Sequence, residues 1–286
     1  MPSELELAGS ITSQWGEGPI WYRDTLYYVD IEGHRVVVYV PTTATETTID
    51  VGERIGTIVP RARGGLVMAG DNGFAFVDPD TGERTPIADP EPDNKPDNRF
   101  NDGKCDPSGR FWAGTISTIK KEGSANLYML DTDGKVSLKF PGVTNSNGLC
   151  WSAAADTFYY IDTPTKKVRA FDYDNATGAI DHERIAIDTA GVEGSPDGMA
   201  IDTNGHLWIA FCRGSAVVAF DPSNGRELHR IPCTVSGVTA CAFGGPNLED
   251  LYITTGIFKN LEESDAGRLF VTRPGVCGQP SHAYGG

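Results

Sequence analysis

Basic residues are scarce in this sequence. Its 286 residues include 24 Lys and Arg against 39 Asp and Glu, which gives a formal charge of −15 at pH 7. Nucleic-acid binding needs a basic surface, and attachment to an anionic membrane needs clustered Lys and Arg. The composition therefore argues against both kinds of partner. No run of the sequence approaches the roughly 18 apolar residues of a transmembrane helix, so no membrane span is predicted.

Cysteine pairs with the spacing of metal or redox sites are also missing. No C-x-x-C motif occurs among the six cysteines, which argues against a zinc ribbon or a thioredoxin-like site. The first ten residues lack the basic and apolar segments of a secretory signal. We therefore expect a cytoplasmic protein with free thiols, although an even count is also compatible with disulfides. The cysteines are Cys105, Cys150, Cys212, Cys233, Cys241 and Cys277.

What the sequence does contain is a repeat. Six short runs of aromatic and β-branched residues begin at positions 26, 66, 111, 158, 207 and 251, about 45 residues apart. Each run is too short for a helix and has the composition of a strand. A second apolar run follows each one, and turn sequences such as Asp78–Gly82 and Asp174–Gly178 follow four of these second runs. Each unit is thus predicted to be a four-stranded antiparallel meander.

Six such units predict an all-β protein, a six-bladed β-propeller forming one domain over residues 1–286. The sixth unit lacks an outer strand after Val271, whereas the segment Glu4–Ile11 has no partner of its own. We therefore expect the N-terminal segment to complete the last blade. Pairing it there would close the ring and remove the open sheet edges.

Polar segments recur at one phase of the repeat, just before the expected innermost strands. In a propeller these positions from different blades meet at the central channel, so we expect Glu17, Asn101, Asn147 and Asp197 to converge. Their oxygen donors suit Ca²⁺, Mg²⁺ or Mn²⁺, whereas Zn²⁺ more often recruits His or Cys. Taken singly, each Asn-Gly or Asp-Gly would be a turn, so the prediction depends on the shared phase. The segments are Gly16–Pro19, Asn98–Gly103, Asn145–Gly148 and Ser195–Gly198.

These segments resemble the senescence marker protein/gluconolactonase family, which includes regucalcin and luciferin-regenerating enzymes. The similar stretches are GEGPIWYRDTLYYVDI, NRFNDGKCDPSGRFWAGT, SNGLCWS and SPDGMAID. The resemblance implies a six-bladed propeller that binds one divalent cation, Ca²⁺, Zn²⁺, Mn²⁺ or Mg²⁺, and hydrolyses sugar lactones. It implies metal ligands at Glu17, Asn147 and Asp197, with Asp197 also the general base. It further implies that Arg99 and Asn101 contact the substrate.

One part of the resemblance fails. Animal members carry a substrate-contacting Glu on a lid after the AGT motif, where ungapped counting places Ile119. Glu122 is the only acid between Gly114 and Leu130. The lid, Ser117–Asn126, therefore leaves the particular sugar open.

The expected function is metal-dependent opening of a sugar lactone by a monomer or weak homo-oligomer. A metal-dependent esterase, phosphotriesterase or luciferin-regenerating enzyme is one alternative, which the polar pair Arg99 and Asn101 mildly disfavours. A non-catalytic calcium-binding regulator is the alternative of another class, because propellers are common scaffolds.

Overall fold

The computed structural model describes residues 4–286, in which 24 strands and two short 3₁₀ helices are present. The N-terminal strand is β1 (Glu6–Ala8). Blade 1 contains β2 (Gly16–Tyr22), β3 (Thr25–Asp30), β4 (Arg35–Val40) and β5 (Thr45–Asp50). Blade 2 contains β6 (Ile55–Pro60), β7 (Leu66–Gly70), β8 (Gly73–Val77) and β9 (Arg84–Ala88). Blade 3 contains β10 (Asn98–Cys105), β11 (Phe111–Ser117), β12 (Ala125–Leu130) and β13 (Val136–Val143).

The second half of the chain repeats the plan. Blade 4 contains β14 (Ser146–Trp151), β15 (Thr157–Asp162), β16 (Lys167–Asp174) and β17 (Ala179–Asp188). Blade 5 contains β18 (Ser195–Ile201), β19 (Leu207–Cys212), β20 (Ala216–Asp221) and β21 (Arg226–Pro232). Blade 6 contains β22 (Val238–Gly244), β23 (Asp250–Thr255) and β24 (Leu269–Thr272). The 3₁₀ helices are Pro92–Asn94 and Thr163–Thr165.

Each blade is a four-stranded antiparallel sheet whose strands follow chain order, as the repeat predicts. The second strand of a blade, such as β3, is mostly buried and largely apolar, whereas an outer strand such as β5 is polar and mostly exposed. Six apolar clusters lie between neighbouring blades, one at each junction. The six-bladed β-propeller is thus confirmed.

Closure of the ring is also confirmed. β1 pairs antiparallel with β24, so the sixth sheet has the order β1-β24-β23-β22. The pairing is shorter than the expected segment because Gly9, at φ +71°, turns the chain away from the sheet. Beyond this turn, Ser10 and Ile11 donate backbone hydrogen bonds to the Glu46 carboxylate of blade 1. The N-terminal segment therefore joins the two blades at the junction.

A feature that the repeat did not predict is the C-terminal strap, residues 277–286. It is held in blade 5 by Thr203, whose N–H donates to the Cys277 carbonyl over 2.8 Å. Beside blade 2, the Ala62 N–H donates to the Tyr284 carbonyl, also over 2.8 Å. Blades 2 and 5 lie on opposite sides of a six-bladed ring. The strap therefore crosses one end of the channel.

Two other predictions from composition can be compared with the structure. All six cysteines are free, as expected, and Cys105, Cys150 and Cys241 are buried. Within residues 4–286, no helix is both long enough and apolar enough to cross a membrane.

Deleting residues 1–8 should sharply destabilise the protein. The deletion removes β1, leaves the edge of β24 unpaired and opens the junction of blades 1 and 6, where Ala8 is buried. We expect the melting temperature in a circular dichroism scan to fall by at least about 5 °C. Deleting only residues 1–3 is the matched control, since it leaves β1 in place. Equal melting temperatures for the two shortened chains would contradict this role of β1.

Candidate active site

Three polar residues of the innermost strands, Asn101, Asn147 and Asp197, sit in β-bulges, and Glu17 lies immediately before one. In β14 the bulge leaves Asn147 and Gly148 without ladder partners, and in β18 it does the same for Asp197 and Gly198. A bulge bends the strand and redirects a side chain that regular pleating would hold against a neighbouring blade. The sequence interpretation placed these residues just before the strands. That placement is wrong, since they lie within the strands and neither dipeptide forms a turn.

The glycine after each polar residue is required by close packing of the blades. A Cβ on Gly148 would lie 2.7 Å from the Asp197 carbonyl oxygen. A Cβ on Gly198 would lie 2.3 Å from the Cβ of Ala240 in the next blade. Neither contact is compatible with a larger residue. In each Asn-Gly or Asp-Gly pair, the first residue thus places a polar group in the channel, and the glycine allows the backbone of the neighbouring blade to pack closely.

The structure brings the four predicted polar residues together. Glu17, Asn101, Asn147 and Asp197 come from blades 1, 3, 4 and 5, and each is between 2% and 7% exposed. The Asn101 amide nitrogen is 3.4 Å from the Asn147 side-chain oxygen. Glu17 and Asn147 both lie close enough to Asp197 to shift its pKa. The repeat therefore does converge on one buried site.

Asn147 is held in one orientation by a neighbour that the sequence interpretation did not include. The Asn147 side-chain nitrogen donates to Thr163 Oγ1 over 2.8 Å, and that hydroxyl donates to the Pro196 carbonyl over 2.8 Å. With its nitrogen engaged there, the Asn147 oxygen is left for the channel. The only sequence signal for Thr163 was its place at the end of the FYYIDT stretch.

Arg99 reaches the same cluster from the end of the channel away from the strap. Its Nη1 donates to Asn101 Oδ1 over 3.0 Å and to the Phe100 carbonyl over 2.8 Å. Asn101 in turn donates to the Ser146 carbonyl over 2.7 Å. Arg99 as a whole is half-buried. The two predicted substrate-contacting residues therefore act as one hydrogen-bonded pair.

A third carboxylate, Asp102, was missed by the sequence interpretation. It is 3% exposed, and its Oδ1 accepts a 2.7 Å hydrogen bond from the Gly103 N–H. Regular alternation would send Asn101 and Asp102 to opposite faces of the strand. The bulge in β10 leaves Asn101 and Asp102 without ladder partners, so both can face the channel. The charge of Asp102 raises the pKa of Glu17 and of Asp197.

Burial and mutual repulsion dominate the electrostatics of the carboxylates. Burial, then the charge of Asp102, raises the pKa of Glu17 to about 8. Burial, then the charge of Glu17, raises the pKa of Asp197 well above its usual range. Both shifts have the sign expected of carboxylates held together out of water. In the absence of a cation, the cluster therefore retains protons near neutral pH.

The donor set fits a hard divalent cation. Asp197 Oδ1 is buried and has no hydrogen-bond partner among residues 4–286. In the same range, no cluster of three or more His, Cys, Asp or Glu side chains is arranged to hold a metal. A cation site at Glu17 and Asp197 would therefore need a further oxygen donor such as the Asn147 amide. Oxygen donors of this kind are the ligands of Ca²⁺, Mg²⁺ and Mn²⁺.

Comparison with known proteins defines the class. Residues 15–257 match the model of the SMP-30/Gluconolactonase/LRE-like region, and the chain belongs to that family. Regucalcin of Danio rerio is 41% identical over 281 residues, covering 95% of each chain. A Bacillus subtilis protein provisionally named sugar lactone lactonase YvrE is 36% identical, covering 89% of each. A solved structure described as a calcium-binding protein, regucalcin, from Agrobacterium tumefaciens has a TM-score of 0.93 at 25% identity, covering 99% of this chain and 97% of that one.

Glu17→Gln and Asn147→Ala should each weaken divalent-cation binding by at least about tenfold without unfolding the protein. Each removes a donor from the channel and no large apolar side chain from a core. Calcium titration calorimetry measures the change. Glu122→Gln is the control, because Glu122 is an exposed acid on the lid. Unchanged affinity in both channel variants would eliminate this site.

The stability of the metal-free protein should fall as pH rises from about 5 to about 9. The folded-state pKa of Glu17, about 8, lies above its unfolded value, so its proton stabilises the fold at low pH and is lost as pH rises through that pKa. Melting temperatures measured across this range with chelator, and again with saturating Ca²⁺, test this. The cation and Glu17→Gln should each flatten the profile. An unaltered slope in both cases would refute the electrostatic account.

Proposed function

We propose that this protein is a metal-dependent lactonase that opens the ring of an aldonolactone to give the sugar acid. The observation that carries the proposal is the buried set of Glu17, Asn147 and Asp197 beside the hydrogen-bonded pair of Arg99 and Asn101. Membership of a family whose description includes gluconolactonase supports it, as does similarity to a protein provisionally named a sugar lactone lactonase.

Glu17, Asn147 and Asp197 are the residues that would hold the cation. When bound, a divalent cation supplies Lewis acidity at the lactone carbonyl and stabilises the negative charge that develops on its oxygen. The unpartnered Asp197 oxygen supports this assignment. The solved relative described as calcium-binding makes Ca²⁺ the first cation to test.

Asp197 is proposed as the general base. Its carboxylate accepts a proton from water as the water oxygen adds to the lactone carbonyl carbon. The bond between that carbon and the ring oxygen then breaks, and the proton passes to the ring oxygen, which becomes a hydroxyl. Water is thus the only co-reactant. A positioned base of this kind contributes roughly 10²–10⁴-fold to the rate.

Arg99 and Asn101 are proposed to bind the sugar hydroxyls. The guanidinium only donates hydrogen bonds, whereas an amide both donates and accepts, so the pair can bind a hydroxyl of either orientation. Ile119 on the lid is 58% exposed and Glu122 is also exposed. A phosphotriester or simple ester has no hydroxyls for Arg99 and Asn101.

A non-catalytic calcium-binding role is the second candidate, and the solved relative described as a calcium-binding protein favours it. Such a role needs Glu17, Asn147 and Asp197 but not Arg99 and Asn101. The presence of both sets in one channel favours catalysis.

The purified protein should open aldonolactones with Ca²⁺, Mg²⁺, Mn²⁺ or Zn²⁺ present, and chelator should abolish the activity. Acid release followed with a pH indicator measures the rate, and an aryl ester and a phosphotriester serve as comparison substrates. Aldonolactones should be preferred because of their hydroxyls. Cation binding with no lactone hydrolysis would instead support the non-catalytic role.

Asp197→Asn should lower kcat by about 10²–10⁴-fold while some cation remains bound, since it keeps an oxygen donor and removes the base. Calorimetry on the same sample reports the bound cation. Asp80→Asn, at an exposed surface position, is the matched control. Near-full activity in the cation-loaded Asp197 variant would show that another group is the base.

A further inference from the structure

The channel has two chemically different halves. Beyond the carboxylates, the innermost strands continue to the end covered by the C-terminal strap, where they line a cavity of about 370 Å³. We call it the back cavity. Its volume lies in the range of small-molecule sites. Most of its wall is apolar, including Ile20, Cys150, Trp151, Ile201 and Phe243.

In the half of the channel that contains the back cavity, one position of the innermost strand carries a charge in one blade only. Strand register places Lys104 opposite Trp112 in blade 3, and the equivalent positions of the other five blades carry neutral side chains. Among the residues that the structure describes, Lys104 is the only Lys, Arg, Asp or Glu that lines the back cavity. The five neutral equivalents are Ile20, Val59, Cys150, Ala200 and Ala242.

The Lys104 ammonium is incompletely paired. Its Nζ crosses the channel and donates to the Met199 carbonyl of blade 5. An ammonium has three donors, and within residues 4–286 no carboxylate lies within 4.0 Å of this one, although the charge of Asp102 acts on it from a longer distance. A half-buried cation with unused donors favours an anionic partner, because burial strengthens the attraction between opposite charges.

The C-terminal strap forms a polar part of the back-cavity wall near the opening of the cavity. Gln279, Ser281 and His282 all line the back cavity there. The Gln279 side chain is held by a 3.1 Å hydrogen bond to the Asp202 carbonyl. Burial lowers the pKa of His282, so its ring is neutral near pH 7 and adds no second charge. The cavity thus has a cationic inner end, apolar walls and a neutral polar mouth.

We propose that the back cavity binds a small aliphatic monocarboxylate, with its carboxylate on Lys104 and its chain against the apolar wall. An anionic head adds hydrogen bonds to the ammonium, and each buried methylene raises the affinity by about fourfold. A chain of roughly six to ten carbon atoms suits a cavity of this volume. This site is separate from the proposed lactonase site and does not depend on that activity.

Titration calorimetry with octanoate tests the site. The wild-type protein should bind one octanoate per chain, and acetate, which has the head without the chain, should bind at least about tenfold more weakly. Lys104→Met should weaken octanoate binding by about tenfold or more and leave 1-octanol binding within about twofold. The absence of saturable octanoate binding, or equal affinity in wild type and Lys104→Met, would overturn the proposal.

A second pair of variants avoids any effect of Lys104 on folding. Ala153 and Ala154 are both exposed, but only Ala153 lines the back cavity. Ala153→Trp should weaken octanoate binding several-fold, whereas Ala154→Trp should not. Equal effects of the two would place the ligand elsewhere. Octanoate binding should also persist in chelator and in Asp197→Asn, and a requirement for cation would assign it to the carboxylate cluster and refute the back-cavity site.

Discussion

The pairing of β1 with β24 holds blade 1 against blade 6, and the channel is closed only because that junction is closed. Glu17 lies on β2, which forms one wall of the junction. Thr239 of blade 6 donates a 2.5 Å hydrogen bond to the Gly16 carbonyl, next to this carboxylate. An open junction would free β2 and move Glu17 away from Asn147 and Asp197. The three residues of β1 therefore help to fix the geometry of a site to which they contribute no side chain.

Closing the ring forces like charges together. Glu17, Asp102 and Asp197 are buried where water cannot screen them, and each has a raised pKa with burial as its largest cause. An isolated group would escape such a cost by moving to solvent. Asp102 and Asp197 extend from bulges and Glu17 lies immediately before one, all on strands packed between blades, so these side chains cannot leave. The fold thus imposes an electrostatic penalty that a proton or a cation relieves, and the apolar cores between blades offset it.

The repeat made the architecture predictable because each blade buries its strands in the same way. The convergence of Glu17, Asn147 and Asp197 followed from their common phase. The position of Asp102 in the carboxylate cluster could not be predicted in this way. In a regular strand Asp102 would point to the face opposite Asn101, and only the bulge in β10 brings both side chains to the channel. Thr163 and the strap were also beyond prediction. Thr163 and the strap both act through contacts between residues that are distant in sequence. The period of the repeat and the spacing of motifs contain no information on such contacts.

Lys104 explains how three carboxylates can coexist in one channel. A divalent cation at the proposed site of Glu17 and Asp197 would compensate two of the negative charges and leave that of Asp102. The field of Lys104 favours the ionised form of Asp102, although burial still holds its pKa above the usual value. Lys104 therefore serves both halves of the channel. An anion bound to Lys104 from the proposed back-cavity site would interact with the same positive charge that acts on Asp102.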